Sequence, residues 1–274
     1  MDIKVANLHF TYPTGVEALR GIELKVPAQS RVAIVGANGS GKTTLVKHFN
    51  GLLRPTTGTI HIGDWKTSDY RLSQLARRVG YVFQNPDEQL FKPSVRQELT
   101  FGPTNLGFSS EQIQARVDQA LELLELKHLA EEHPADCSFP WRKRIAFASV
   151  VSMDTPIIVL DEPTTGQDAR SVRLFGHVVD TLHQAGKTVI AISHDIEFVA
   201  DHFDRVVVMY QGQVLLDGTP AEVFQQEDLL ERSLVHPPQL ARLAHRLQLG
   251  QVVTNPEDFI EALANEQTAQ RGKD

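Results

Sequence analysis

The sequence predicts an α/β fold with a mainly parallel core sheet covered by helices. Three observations lead there. The runs "RVAIV" (31–35), "PIIVLD" (156–161), "TVIAIS" (188–193) and "RVVVMY" (205–210) are continuously apolar, as strands buried on both faces are, and helix-length segments separate the later ones. The N-terminal stretches "IKVANLHFTY" and "GIELKV" alternate instead, which predicts an antiparallel β subdomain ahead of the core. From "NPDEQLF" to about Met153 the apolar spacing becomes three and four, clearest in "EQIQARVDQALELLEL", so a helical insertion interrupts the strands.

Beyond Gly218 the chain turns helical and polar. "HPPQLARLAHRL" and "PEDFIEALANEQ" read as amphipathic helices of a C-terminal extension, and the last residues, "QTAQRGKD", are expected to fray. The expected units are therefore 1–84, the β subdomain with the first part of the core; 85–154, the helical subdomain; 155–218, the second part of the core; and 219–274, the extension.

Composition narrows the function. With 27 Lys+Arg against 34 Asp+Glu, the formal net charge of -7 gives no general attraction to nucleic acid or anionic lipid. Cys137 is the only cysteine, so an internal disulfide is impossible, and the 11 histidines lack the close spacing of a zinc site. A reducing cytoplasm fits. No basic-then-apolar leader begins the sequence and no run of about 18 apolar residues occurs, so work at a membrane would require another chain to hold this one there.

The strongest chemical signal is "GANGSGKT", Gly36 to Thr43. Glycine, four residues, glycine, lysine and a hydroxyl residue is the pattern of a loop that wraps phosphate. Glycines permit a tight backbone path that aims several N–H groups at one anion, and the following helix adds its positive end. Gly36, Asn38, Gly39, Ser40, Gly41 and Thr44 belong to this cradle; Lys42 would bridge the outer phosphates, and the Thr43 hydroxyl would ligate Mg²⁺. The strand and helix that the mechanism requires are supplied by "RVAIV" and "KTTLVKHFNGL".

A second site lies at "IIVLDEPTTGQD", where Asp161 ends a buried strand and could hold magnesium while Glu162 polarises an attacking water. An acidic strand end alone is commonplace; beside a phosphate loop it reads as catalytic. "AISHD" places His194, and "YVFQN" places Gln84, at the ends of further apolar strands, where ligands of open α/β sheets collect. There His194 could contact the γ-phosphate, and Gln84 could ligate metal and orient water.

Together "GANGSGKTT", "VFQNP", "VLDEPTTGQD" and "ISHD" resemble the ATP-binding cassette (ABC) ATPases over nearly the whole chain. The resemblance implies the P-loop NTPase fold in its ABC form, with ATP and Mg²⁺ as ligands. It assigns Tyr12 in "HFTYP" to stacking on adenine. It makes Lys42 the phosphate lysine, Thr43 the metal-linked threonine, Gln84 the lid glutamine, Asp161 the metal aspartate, Glu162 the catalytic glutamate, Asp168 the dimer-loop aspartate and His194 the switch histidine. More narrowly, "VFQNPDEQLF", "FGPTNLGF" and "LVHPPQLARLA" resemble the ATPases of energy-coupling factor (ECF) importers, which power bacterial uptake of vitamins and of nickel or cobalt. That implies a peripheral subunit on the cytoplasmic face of the membrane, joined to an integral scaffold protein through coupling helices and indirectly to a substrate-binding membrane subunit. Asp87 and Glu88, and less strongly Glu98, are the candidates to receive basic residues of a coupling helix; a solvated acidic face is the other reading. The C-terminal helices could pair with a second ATPase or serve as a packing appendage.

One motif departs from the family. Its signature, Leu-Ser-Gly-Gly-Gln, falls at "CSFPW", where Ser138 survives, Phe139 and Pro140 replace the glycines, and Trp141 replaces the glutamine. Arg144 and "IAFA" keep the family's register. In the family this loop closes over the γ-phosphate bound by the partner chain. Pro140 has no N–H to donate, and side chains at 139 and 140 hinder close approach of backbone to phosphate. Proline is tolerated in a helix's first turn, so lost phosphate contact on an intact helix is expected; the other reading is a loop that still binds ATP through Ser138 and a Trp141 contact. The resulting expectation is a heterodimer with an ATPase whose signature is intact, one site hydrolytic and the other mainly holding ATP. Gln167 in "TTGQD" also departs from the usual leucine. The alternatives are a soluble, non-transport ABC ATPase, disfavoured by the negative charge and the groove motifs, and an ATP-dependent dimerisation module with little hydrolysis, disfavoured by Glu162 and His194.

Overall fold

β1 (Ile3–Thr11) and β2 (Glu17–Val26) form an antiparallel pair, and β3 (Arg31–Val35) leads through the glycine loop into α1 (Lys42–Phe49). The computed structural model describes residues 1–247, 249 and 256–271. β4 (Thr57–Ile62) then returns to pair antiparallel with β1, and β5 (Trp65–Lys66) pairs with β4, completing a four-stranded sheet in the order β2–β1–β4–β5. Half of this sheet thus comes from residues after the glycine loop.

After α2 (Leu72–Leu75) and β6 (Val79–Val82), the chain forms α3 (Val95–Leu106), α4 (Ser110–Leu123) and α5 (Phe139–Val151). Local chemistry sets these helices. Ser109 and Gln112 make a reciprocal capping box at the start of α4, and Gly107, at φ +84°, ends α3 in the left-handed region that glycine adopts freely. Pro140 sits in the first turn of α5, where its missing N–H costs no helical bond. The chain continues as β7 (Ile157–Asp161), α6 (Ala169–Gln184), β8 (Thr188–Ile192), α7 (Ile196–His202), β9 (Arg205–Tyr210) and β10 (Gln213–Gly218). The second sheet has the order β10–β9–β3–β8–β7–β6, parallel except for the β9–β10 hairpin.

Strand periodicity divides the interior into two cores. Val32, Ile34, Ile157, Val159, Ile190 and Ile192 face the antiparallel sheet and α1, whereas Ala33, Val35, Ile158, Leu160, Val189 and Ala191 face α5, α6 and their neighbours. Both faces are covered, which is why these strands carry no polar alternation. The loops after β3, β6, β7 and β8 all leave the same carboxyl edge of this parallel sheet.

The C-terminal part forms α8 (Pro220–Phe224), α9 (Glu227–Arg232), α10 (Gln239–Arg246) and α11 (Pro256–Arg271). The helix continues to Arg271, through part of the segment expected to fray; residues 272–274 of that expectation lie outside the described residues. Among the described residues no helix is long and apolar enough to cross a membrane.

Candidate active site

The loop between β3 and α1 depends on glycine at two points. At Gly36, φ is +143° and a Cβ would lie 2.2 Å from the Met209 carbonyl oxygen; at Gly41, φ is +103° and a Cβ would lie 2.8 Å from that of Ala18. No other residue type permits this path. It opens α1 toward a cleft of about 670 Å³ lined by Tyr12, Val16, Glu17, Arg20, Asn38, Gly39, Gly41, Lys42, Thr43, Thr44, Gln84, Glu162, His194, Gln211 and Gly212. Most residues singled out in the sequence therefore meet in one place, drawn from the ends of β3, β6, β7 and β8 in the parallel sheet and from the antiparallel sheet. Val16, Glu17, Arg20 and Gln211, which no motif announced, complete the wall.

Lys42 is buried, and its ammonium donates to the carbonyls of Gly36 at 2.8 Å and Ala37 at 2.9 Å. Burial lowers its pKa, an effect opposed by the charges of Glu162 and Asp161. Tyr12 donates or accepts a 2.9 Å hydrogen bond with the Thr44 hydroxyl and rests edge-on against Phe10, so its ring has a fixed place in the cleft. Ser40 is buried with its hydroxyl unpartnered among the described residues, an orphan group beside the cradle.

Asp161 lies under the cleft. The Thr43 hydroxyl donates to its Oδ1 at 3.3 Å and the Tyr81 hydroxyl to its Oδ2 at 2.7 Å. Burial raises the Asp161 pKa, and the hydrogen bonds from Tyr81 and Thr43 oppose the rise. Burial and the neighbouring Asp161 charge push Tyr81 upward, which keeps its proton available as the donor. Glu162 follows in the left-handed region, at φ +50°. Its N–H donates to the Ile192 carbonyl at 3.0 Å; its carboxylate pairs with His194 Nε2 at 3.1 Å and accepts the His194 backbone N–H at 3.3 Å. Oxygen donors dominate around Thr43 and Asp161, with the Gln84 amide on the same wall, the ligand chemistry that suits Mg²⁺. Among the described residues no group of three His, Cys, Asp or Glu forms a metal site of its own.

The remaining acidic candidates lie outside the cleft. Asp168 caps α6, accepting the Ser171 N–H at 2.7 Å. Glu98 is buried and accepts the backbone N–H groups of Phe91 at 2.9 Å and Lys92 at 2.8 Å, so it is not free to receive a basic side chain. Asp87 is exposed but already pairs with Arg142 of α5 at 3.0 Å, while Glu88 is exposed. The concave surface nearby is apolar. Leu52, Leu72, Phe83, Phe91, Phe101 and Met153 line it, with Phe91 61 % and Phe101 41 % exposed and their rings edge-to-face at 4.9 Å.

The signature segment stands apart from the cleft. Ser138 occupies the N-cap of α5 with no capping bond from its hydroxyl, which is exposed. Phe139, Pro140 and Trp141 are half-buried; Trp141 packs against His128 and beneath the Arg144 guanidinium. Gln167, in the adjacent loop, has both amide atoms buried without partners among the described residues. Gln89 was also missed: it receives the Phe83 N–H and donates to Ala146 and Ser149 of α5, tying the Gln84 loop to that helix.

A phosphate cradle, a paired carboxylate site and a strand-end histidine on a parallel sheet define an ATP-hydrolysing nucleotide-binding domain. The ABC transporter family profile matches residues 19–165, and the chain belongs to that family, whose ATP-binding subunits hydrolyse ATP to drive transport. It is 39% identical over 251 residues to the energy-coupling factor transporter ATP-binding protein EcfA of Methanothermobacter thermautotrophicus, covering 90% of this chain and 80% of that one. A putative ABC transporter ATP-binding protein of Methanosarcina mazei is 41% identical over 242 residues; the match takes in 88% of this chain but only 41% of that longer protein. Among solved structures, CbiO1 of Clostridium perfringens, described as part of the ABC transporter complex CbiONQ, superposes with a TM-score of 0.75 at 35% identity, covering 90% of this chain and 98% of that one.

Proposed function

We propose that this chain is an ATP-hydrolysing subunit of an ECF-type importer for a micronutrient, a vitamin or a transition-metal ion. It sits on the cytoplasmic face of the membrane, held by an integral scaffold protein, and pairs with a second ATPase whose signature is intact. The observation that carries this reading is the contrast within one chain between a fully furnished hydrolytic cleft and a signature segment whose two glycines are gone. Similarity to EcfA and to CbiO1 supports the class of transporter, and the exposed Phe91–Phe101 groove supports a docked helix.

The reaction is in-line attack of water on the γ-phosphorus of ATP. The bond to the β–γ bridging oxygen breaks, giving ADP and phosphate. Glu162, fixed by His194, orients the water and takes its proton; Lys42 leaves the loop carbonyls to meet the outer phosphates, and Tyr12 offers its ring to the base. Thr43, Asp161 and Gln84 would hold Mg²⁺, whose charge would neutralise the transferred group. The complete site combines this chain's cleft with the partner's signature, and its closing and reopening move the coupling helices.

Because the groove is apolar and Asp87 is internally paired, docking rests mainly on Phe91 and Phe101. Replacing both with Asp should abolish copurification with the membrane scaffold while ATP binding by the isolated chain stays unchanged. Undiminished copurification would count against this groove.

A further inference from the structure

The altered signature segment makes contacts within its own chain. A Cβ on Gly166, in the loop after Glu162, would lie 2.9 Å from Cε1 of Phe139, so that ring already rests on the loop. Arg142 pairs with Asp87 at 3.0 Å, three residues beyond Gln84, and Arg144 donates to the Ser171 hydroxyl at 2.7 Å. Between these two arginines stands Lys143, 4 % exposed, whose ammonium donates to the main-chain carbonyl of Glu162.

Glu162 is a residue that needs holding. A non-glycine residue at φ +50° is uncommon and persists where its surroundings over-determine it. Ile192 fixes its N–H, and His194 fixes its carboxylate. Its carbonyl is the remaining polar group, and Lys143 takes it. A buried ammonium is costly unless satisfied, so placing one here for packing alone would be an expensive choice. Its surroundings show that cost: burial pulls the Lys143 pKa down to about 8, against the opposing charges of Glu162 and Asp161.

We infer that Lys143 is a positioning residue for Glu162: reaching from the first turns of α5, it fixes the carbonyl of the left-handed Glu162 backbone and so the aim of the carboxylate. The inference rests on Glu162 being the catalytic carboxylate. Its consequence is that the helix opened by "CSFPW" serves the chain's own active site, whatever contact with a partner's nucleotide has been lost. The link runs through one hydrogen bond between α5 and the end of β7.

The test uses the full chain in the complex in which it purifies, with Lys143→Met, which removes the donor, Lys143→Gln, which keeps a neutral one, and Glu162→Gln as the reference. ATP turnover is measured against ATP concentration, together with binding of a non-hydrolysable ATP analogue. Lys143→Met should lose at least ~10-fold in kcat with KM and analogue affinity within about twofold of wild type, and Lys143→Gln should recover to within about threefold. Turnover of Lys143→Met within twofold of wild type beside an inactive Glu162→Gln overturns the inference. So does a parallel loss of analogue binding, or a Gln variant no better than Met. Full turnover in Glu162→Gln would instead overturn the catalytic assignment itself. If the Met variant does not fold, the Gln variant decides: turnover within threefold of wild type supports the inference, and lost turnover overturns it.

Discussion

Tyr81→Phe removes one oxygen atom from the interior of the site and should change its metal and pH dependence. The Tyr81 hydroxyl donates to Asp161 Oδ2 at 2.7 Å; the tyrosine is 7 % exposed and the aspartate 2 %, so water does not replace the lost donor. Hydrogen bonds to charged groups contribute about 1.5–3 kcal/mol, and 1.4 kcal/mol is tenfold. The bond is made to the ionised carboxylate. Losing it disfavours that form, so the Asp161 pKa, already raised by burial, rises further. The acidic limb of the kcat profile therefore moves to higher pH, and the Mg²⁺ concentration for half-maximal turnover near neutrality rises roughly 10- to 100-fold, whereas saturating Mg²⁺ at alkaline pH restores most of kcat. Steady-state ATPase measurements across pH and Mg²⁺ concentration provide the assay. Profiles for Tyr81→Phe and wild type that superimpose on both axes would refute the argument that this hydroxyl holds the metal-side carboxylate.

Two further predictions concern stability. Gly36→Ala forces a Cβ to within 2.2 Å of the Met209 carbonyl oxygen at a φ of +143°, so it should cost at least ~2 kcal/mol of folding stability and most of the ATP affinity; a urea midpoint equal to wild type would contradict the close approach. Lys143, pulled by burial to about 8 from the usual 10.5, holds its proton less tightly folded than unfolded. The unfolded chain thus carries more protons between about pH 8 and 10.5, and the residue's cost to stability is full below that window and lost above it. At 1.36 kcal/mol per unit, wild type should gain about 3 kcal/mol relative to Lys143→Met as pH rises through the window, and urea titrations that stay parallel would contradict the burial of a charged amine.

How much of this was legible in the sequence depends on the range of the interactions. The glycine loop, the strand-end acids and His194 are local patterns, each a few residues of strand followed by a reactive group, and they converge because parallel strands of one sheet place their carboxyl ends together. The two-faced burial of β3, β7 and β8 was legible for the same reason. Tyr81, Lys143 and Gln89 were not. Their partners lie 80, 19 and 57 residues away, and which strand adjoins which is set by the crossover order, not by any motif. Glu98 and Asp87 show the converse. Both look like free acids in the sequence, yet one caps the backbone at Phe91 and Lys92 and the other is held by Arg142. Charge in a sequence says little about whether the protein itself has already used it. The unusual "CSFPW" segment is visible in the sequence alone, but its inward contacts through Phe139 and Lys143 required the fold.

The central claim is that this chain supplies a complete hydrolytic cleft but not the signature that closes one. The most direct measurement is ATP turnover by the chain alone and mixed with the signature-bearing ATPase that copurifies with it, each with Lys42 intact or replaced by Ala. The account predicts activity that appears only in the mixture and vanishes with Lys42→Ala. Equal activity without the partner would contradict it, and would mean that Ser138 and the first turn of α5 still close over a partner's phosphate.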